Sequence, residues 1–77
     1  MTQVKQPKRS HPVRVYRISR MWSQVDLAKA AGVARTTIMR IEAGTKPTLR
    51  TANAIANVLG APVEALFPPE EGDDAPF

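Results

Sequence analysis

The chain has 77 residues and a formal net charge of +4, with 43% hydrophobic and 23% charged residues. This length predicts one small domain with a single modest core. The lack of cysteine excludes disulfides and thiolate metal sites, and one histidine, His11, cannot form a zinc cluster, so we expect no metal and no cofactor. No run of about 18 apolar residues and no signal-peptide core occurs, so we expect a cytoplasmic protein without a membrane partner.

Charge is distributed unevenly along the sequence. Residues 1–22 contain six lysines and arginines and no acid, whereas residues 70–74 contain four acids. A basic surface on a small domain indicates a polyanionic partner, most often nucleic acid and less often an anionic membrane. A charge of +4 also suits ordinary solubility, so charge alone does not decide between these interpretations.

Proline and polar residues divide the chain into three parts. Residues 1–12 are predicted to be a basic flexible arm, which can lie along DNA phosphates or simply keep the protein soluble. Residues 68–77 are predicted to be an acidic flexible tail of undecided role. Between them, residues 13–67 form the predicted folded domain.

Short apolar stretches punctuated by capping residues predict three helices in the first half of this domain. Pro12 suits the first turn of a helix, and Ser23 and Asp26 have the spacing of a capping box. Gly32 and Gly44 are placed to end helices. The predicted helices run from Pro12 to near Arg20 and over residues 24–31 and 34–43.

The second half of the domain contains the clearest helical periodicity. Between the capping residue Thr48 and the terminating Gly60, apolar residues recur at i, i+3, i+6, i+7 and i+10. Residues 62–67 predict a short last helix that two prolines stop. The predicted fold class is therefore all-α, a compact bundle of about five short helices.

Several blocks of residues together are typical of one family. The blocks are Ser23-Gln24, Leu27-Ala28, Gly32-Val33, Ile38-x-x-Ile41-Glu42-x-Gly44, Pro47-Thr48-Leu49 and Ile55-Ala56-x-x-Leu59-Gly60. Over about residues 13–67 the chain resembles the lambda-repressor-like, or Xre-type, helix-turn-helix family. The resemblance implies that the helix over residues 34–43 enters the major groove of DNA and that a homodimer binds an inverted repeat.

The outward face of this recognition helix suits base reading. When its two isoleucines turn inward, a helical wheel places Met39 and three polar residues on the opposite face. Arginine matches the acceptors of guanine, and threonine can bond a base edge or contact a thymine methyl. We therefore predict that bases are read by Arg35, Thr36 and Arg40. The alternative is a solvated helix face.

Four further residues are predicted to contact DNA phosphates. Gln24 lies at a helix start, where free N–H groups favour anions, and the resemblance implies the same role. Thr37 can donate to phosphate, and Lys46 matches the family's backbone-contacting loop. Thr48 lies at the start of the next helix, where a backbone N–H group can also bind a phosphate. The alternatives are an ordinary helix-start glutamine and a solubilising lysine.

Four predictions concern structure more than binding. The resemblance implies an internal salt bridge between Arg17 and Glu42, and Trp22 is predicted to be a core residue. Ala34 replaces the usual serine or threonine cap, which predicts a ragged start of the recognition helix. Met21 replaces the usual glycine or asparagine, which predicts an altered turn between the first two helices.

The last helix and the neighbouring surface offer a candidate dimer interface. The apolar residues considered for it are Val58, Val63, Leu66 and Phe67, which ordinary core packing would equally explain.

The function predicted from these features is that of a sequence-specific double-stranded DNA-binding transcriptional regulator, expected to be a repressor. It would read a palindromic operator as a homodimer and associate with the nucleoid when bound. The alternative is an antitoxin or protein-interaction module whose main ligand is a toxin or polymerase partner. No nucleophile–base pair, carboxylate pair or phosphate-cradling loop is found, so we predict that the protein is not an enzyme.

Overall fold

A computed structural model describes residues 10–68, so residues 1–9 of the predicted arm and 69–77 of the predicted tail lie outside the described residues. Within residues 10–68 the chain is all-helical, which confirms the predicted fold class. No helix in this range is long and apolar enough to cross a membrane. The five helices are α1 (Pro12–Ser19), α2 (Gln24–Ala31), α3 (Arg35–Glu42), α4 (Leu49–Leu59) and α5 (Val63–Leu66).

Helix α1 begins at Pro12, as this proline predicts, and His11 caps it, although both residues fall within the predicted arm. Pro12 occupies the first turn, and the Nδ1 atom of His11 accepts a hydrogen bond from the backbone N–H of Val13 at 3.1 Å. Burial lowers the pKa of His11, against an opposing effect of the Glu42 charge, and this favours the neutral ring that the bond requires. The ring also packs against Phe67, the residue that follows α5, with ring centroids 5.8 Å apart. His11 therefore links the start of α1 to the end of α5.

The helix starts follow from local capping chemistry. The Ser23 hydroxyl accepts from the Asp26 N–H at 3.0 Å, and an Asp26 carboxylate oxygen accepts from the Ser23 N–H at 2.8 Å, which completes the capping box of α2. Thr48 caps α4 through the Thr51 N–H. Ala34 gives α3 no side-chain cap, yet the expected ragged start is absent because α3 is regular from Arg35 onward.

The core lies where α2 packs against α3 and α4, with α1 and α5 closing the ends. Trp22 is half-buried against this core, in line with its predicted core role. The sequence makes Leu66 a candidate for a dimer interface, with core packing as the equal alternative. Its side chain is fully buried within one chain, so it belongs to the core and is not available to a second subunit. The other fully buried side chains are Val13, Leu27, Ile38, Ile41, Ile55 and Leu59.

Arg20 connects the turn after α1 to the end of α4. Its Nη2 donates to the carbonyl oxygen of Leu59 at 2.7 Å, which satisfies one of the acceptors that a helix C-terminus leaves free. The guanidinium also lies 5.4 Å from the centroid of the Trp22 ring. Trp22 therefore packs against the core on one side and forms a cation–π contact with Arg20 on the other.

The turn between α1 and α2 keeps a conformation that normally suits glycine. Met21 has φ 61°, and it is the one residue other than glycine with positive φ in the part of the chain described. Its side chain is 88% exposed, so packing offers little compensation for this conformation. The expected alteration of the turn is therefore not observed, and the chain accepts the strain at Met21 instead.

We predict that Met21→Gly raises the free energy of unfolding by about 0.5–1 kcal/mol, because glycine adopts positive φ without the clash of a Cβ atom. Met21→Ala is the matched control, since it removes the same exposed side chain and keeps the Cβ. Urea unfolding of both variants measures the difference. A glycine variant no more stable than the alanine variant would contradict the strain.

Candidate nucleic-acid interface

The connection between α2 and α3 is a tight turn of fixed geometry. Gly32 has φ 74°, a left-handed conformation that ends α2. The N–H of Val33 donates to the carbonyl of Ala28 at 3.0 Å, and the Val33 side chain packs against the core. The turn therefore sets the direction in which α3 leaves α2, as a helix-turn-helix requires.

Helix α3 presents one apolar and one polar face. Ile38 and Ile41 are buried in the core, and Thr37 is half-buried beside them. The opposite face is open to solvent. It carries the three predicted base-reading residues Arg35, Thr36 and Arg40, together with Met39.

A salt bridge anchors the end of α3 to α1. Arg17 donates from Nε to Oε2 of Glu42 at 2.7 Å and from Nη2 to Oε1 at 3.0 Å, a bidentate arrangement. Its Nη1 donates to the carbonyl oxygen of Trp22 at 2.7 Å. The two side chains are 10% and 6% exposed, so this is a largely buried ion pair in which the guanidinium bonds two different segments.

Gln24 completes the network around Glu42. Its Nε2 donates to Oε1 of Glu42 at 3.1 Å, which links the start of α2 to the end of α3. Burial of Glu42 opposes its ionisation. The hydrogen bonds from Arg17 and Gln24, together with the positive charges of Arg17 and Arg14, outweigh burial, so the pKa of Glu42 lies below its usual value. The amide nitrogen carries two N–H groups, so this bond leaves Gln24 a second donor.

The surface around α3 is strongly basic. Glu42 is the sole acid in residues 35–50, and Arg17 neutralises it inside the domain. The basic side chains of the same stretch are all exposed. They are Arg35, Arg40, Lys46 and Arg50.

A cleft of about 270 Å³ lies between α3 and the start of α4. It brings together three of the four predicted phosphate-contacting residues with Arg40, whereas Gln24 lies outside it. Leu49 and Arg50 occupy the first turn of α4, where backbone N–H groups have no partner within the helix. The residues lining the cleft are Thr37, Arg40, Ile41, Thr45, Lys46, Pro47, Thr48 and Thr51.

Sequence reasoning missed several of these contacts. Thr45 and Thr51 line the cleft, and a threonine three residues after the cap Thr48 is the signal that would have indicated Thr51. The Gln24–Glu42 bond and the use of the Trp22 carbonyl have no such signal. Within residues 10–68 no three potential metal-ligating side chains lie together.

Comparison with known proteins assigns the family. A family model described as helix-turn-helix matches residues 13–66. The chain therefore belongs to the lambda-repressor-like helix-turn-helix family of DNA-binding transcriptional regulators, as the sequence motifs predict. The family is not enzymatic, which agrees with the absence of a catalytic motif from the sequence.

Individual relatives and one solved structure support this assignment. An uncharacterized HTH-type transcriptional regulator of Methanocaldococcus jannaschii is 41% identical over 56 residues, which cover 71% of this chain and 85% of that protein. A second, from Archaeoglobus fulgidus, is 43% identical over 56 residues, or 71% and 80% of the two chains. The N-terminal DNA-binding domain of the master biofilm regulator SinR from Bacillus subtilis aligns with TM-score 0.66 and 28% identity, covering 82% of this chain and 93% of that one.

We predict that Glu42→Ala lowers the free energy of unfolding by about 3 kcal/mol, because it leaves the buried Arg17 charge without its partner. The double variant Arg17→Met with Glu42→Leu is the matched control, since replacing both charges removes the desolvation cost and recovers most of the loss. Denaturant unfolding measures both. A double variant as unstable as Glu42→Ala would show that the loss has another cause.

Proposed function

We propose that the protein is a sequence-specific regulator that inserts α3 into the major groove of double-stranded DNA and reads an inverted-repeat operator as a homodimer. The observation that carries this proposal is the exposed face of α3. Arg35, Thr36 and Arg40 share it, and a core contact and a buried ion pair hold the other side of the helix. Its place would be the cytoplasm, with the nucleoid as the site of action.

The chemistry of this face suits base recognition. Arg35 and Arg40 offer planar guanidinium forks that match O6 and N7 of guanine. Thr36 lies one turn before Arg40, so the two side chains are neighbours on the same face. In this arrangement α3 specifies sequence through base edges, and repression follows where the operator overlaps a promoter.

The neighbouring groups suit the DNA backbone. Lys46 and Thr48 line the cleft beside α3 with Thr37, and the free N–H groups at the start of α4 add a second anion-binding element. Gln24 would donate its remaining N–H to phosphate at the start of α2. These contacts fix the register of α3 in the groove without reading sequence.

The proposed dimer interface lies on α4, on α5 and on the residue that follows α5. Val58, Val63 and Phe67 remain half-buried and packed at the edge of the core, whereas Leu66 is excluded by its burial. A groove of about 430 Å³ includes Val63, and its other lining residues belong to α4 and to the connection between α4 and α5. A second copy on this surface would place two α3 helices on successive major grooves.

A second candidate function is a protein-interaction module such as an antitoxin. The observation in its favour is an apolar surface on α1 and the following turn. Val15 is 51% exposed, Ile18 is 47% exposed and Met21 extends beyond them. In that case the main ligand would be a toxin or polymerase partner, and DNA binding would be secondary.

In vitro selection from random duplex DNA at about 150 mM salt tests the proposed function, because this salt concentration suppresses nonspecific phosphate binding. We expect enrichment of an inverted repeat with half-sites about 10 base pairs apart. Failure of the folded protein to enrich any sequence would contradict sequence-specific binding and favour the protein-interaction module. A single unpaired half-site would contradict the dimer alone.

Substitutions separate base reading from backbone contact. We predict that Arg40→Ala weakens binding to the selected site by about 1–3 kcal/mol and relaxes the base preference at one position. Lys46→Ala is the matched control. It is expected to weaken binding to all sequences alike and to reduce the slope of log affinity against log salt concentration by about one. Titration of selected and random duplexes measures both. Equal loss on random DNA for Arg40→Ala would make that residue a phosphate contact.

A further inference from the structure

We propose that Met39 is a further base-reading residue, and that it recognises the 5-methyl group of a thymine in the major groove. This inference rests on the proposed function. It goes beyond the three polar readers because it adds an apolar contact and restricts the bases that the operator can contain.

The position of Met39 places it among the readers. It follows Ile38, which is fully buried, yet its own side chain is 40% exposed. On a helix, residues three or four apart are neighbours, so Met39 adjoins Arg35 one turn earlier and Thr36 three residues earlier. Arg40 follows it on the same exposed face. Met39 therefore faces the same part of the groove as these side chains.

The chemistry of Met39 identifies the group it would meet. Its side chain is unbranched, flexible and polarizable, and it fits irregular apolar surfaces. The major-groove edge of DNA offers one apolar group, the 5-methyl of thymine. Phosphates and the other base edges present charges, donors or acceptors, against which an apolar side chain gains nothing.

The remaining side chains of α3 strengthen this restriction. A carboxylate is the characteristic acceptor for the N4 donor of cytosine. Helix α3 carries one carboxylate, Glu42, and Arg17 and Gln24 hold it inside the domain. The exposed face thus combines guanidinium donors and an apolar tip with one hydroxyl, that of Thr36, which can donate or accept. Each half-site should accordingly contain guanine for the arginines and a neighbouring thymine for Met39.

Replacement of thymine by deoxyuridine tests the contact directly, because it removes the methyl and leaves the base pairing intact. The probe is the operator that the selection yields. It is made as unmodified synthetic DNA, so that every 5-methyl group in it belongs to a thymine. Each thymine of a half-site is replaced in turn. We expect the wild-type protein to lose about fourfold in affinity at one thymine, the effect of one methyl group removed from an apolar contact.

The variant Met39→Ala links that loss to the protein. Since Met39 is exposed, we expect the variant to fold, which circular dichroism and thermal melting verify. It should bind the thymine and deoxyuridine forms with equal affinity. Met21→Ala is the matched control: it removes an exposed methionine outside α3, and it should retain the fourfold difference.

Thr36→Ser tests the competing source of the effect, because serine keeps the hydroxyl of threonine and lacks its methyl. The inference is overturned if Thr36→Ser abolishes the difference while Met39→Ala retains it. It is also overturned if the wild-type protein is indifferent to every replacement. Failure to enrich any sequence would overturn the proposed function together with this inference, whereas an enriched operator without thymine discrimination would overturn the inference alone.

Discussion

The buried ion pair between Arg17 and Glu42 is the interaction on which the arrangement of the helix-turn-helix depends. Arg17 uses its three types of guanidinium nitrogen on two acceptors, the Glu42 carboxylate and the Trp22 carbonyl. Gln24 adds a bond from α2 to the same carboxylate. Helix α1, the turn that follows it, α2 and α3 therefore converge on this ion pair. Helix α3 has eight residues and no side-chain cap, so its own hydrogen bonds would stabilise it only weakly. The network around Glu42 supplies tertiary contacts that fix its position.

The same network has an electrostatic consequence for function. A carboxylate on α3 would repel DNA if it faced outward, yet Glu42 is turned inward and neutralised. The outward face keeps two arginines and a threonine, and the adjoining cleft adds Lys46 and the start of α4. The two faces of α3 thus have different roles. One face packs against the core and forms the ion pair, and the other is exposed and carries the base-reading residues that we propose.

Much of the fold could be predicted from the sequence because its signals are local. The capping box at Ser23, the glycines after α2 and α4 and the apolar spacing of α4 each specify an element through a few neighbouring residues. The contacts that were missed join distant segments of the chain. They use either backbone carbonyl groups, which every residue has, or side chains that have several possible partners. The carbonyl of Leu59 that receives Arg20 is one example, and the His11 cap packed on Phe67 is another. For Leu66 the sequence leaves core and dimer interface open, because amphipathic spacing does not tell a core face from a dimer face, and its full burial selects the core.

The central claim is that the outward face of α3 and the start of α4 form the DNA-binding surface. Titration of isotope-labelled protein with its selected operator, followed by amide chemical shifts in solution, tests it most directly. The account predicts the largest changes over residues 35–40 and 48–50, with smaller changes near Gln24. Changes confined to the exposed side of α1 around Val15 and Ile18, with α3 unaffected, would contradict it.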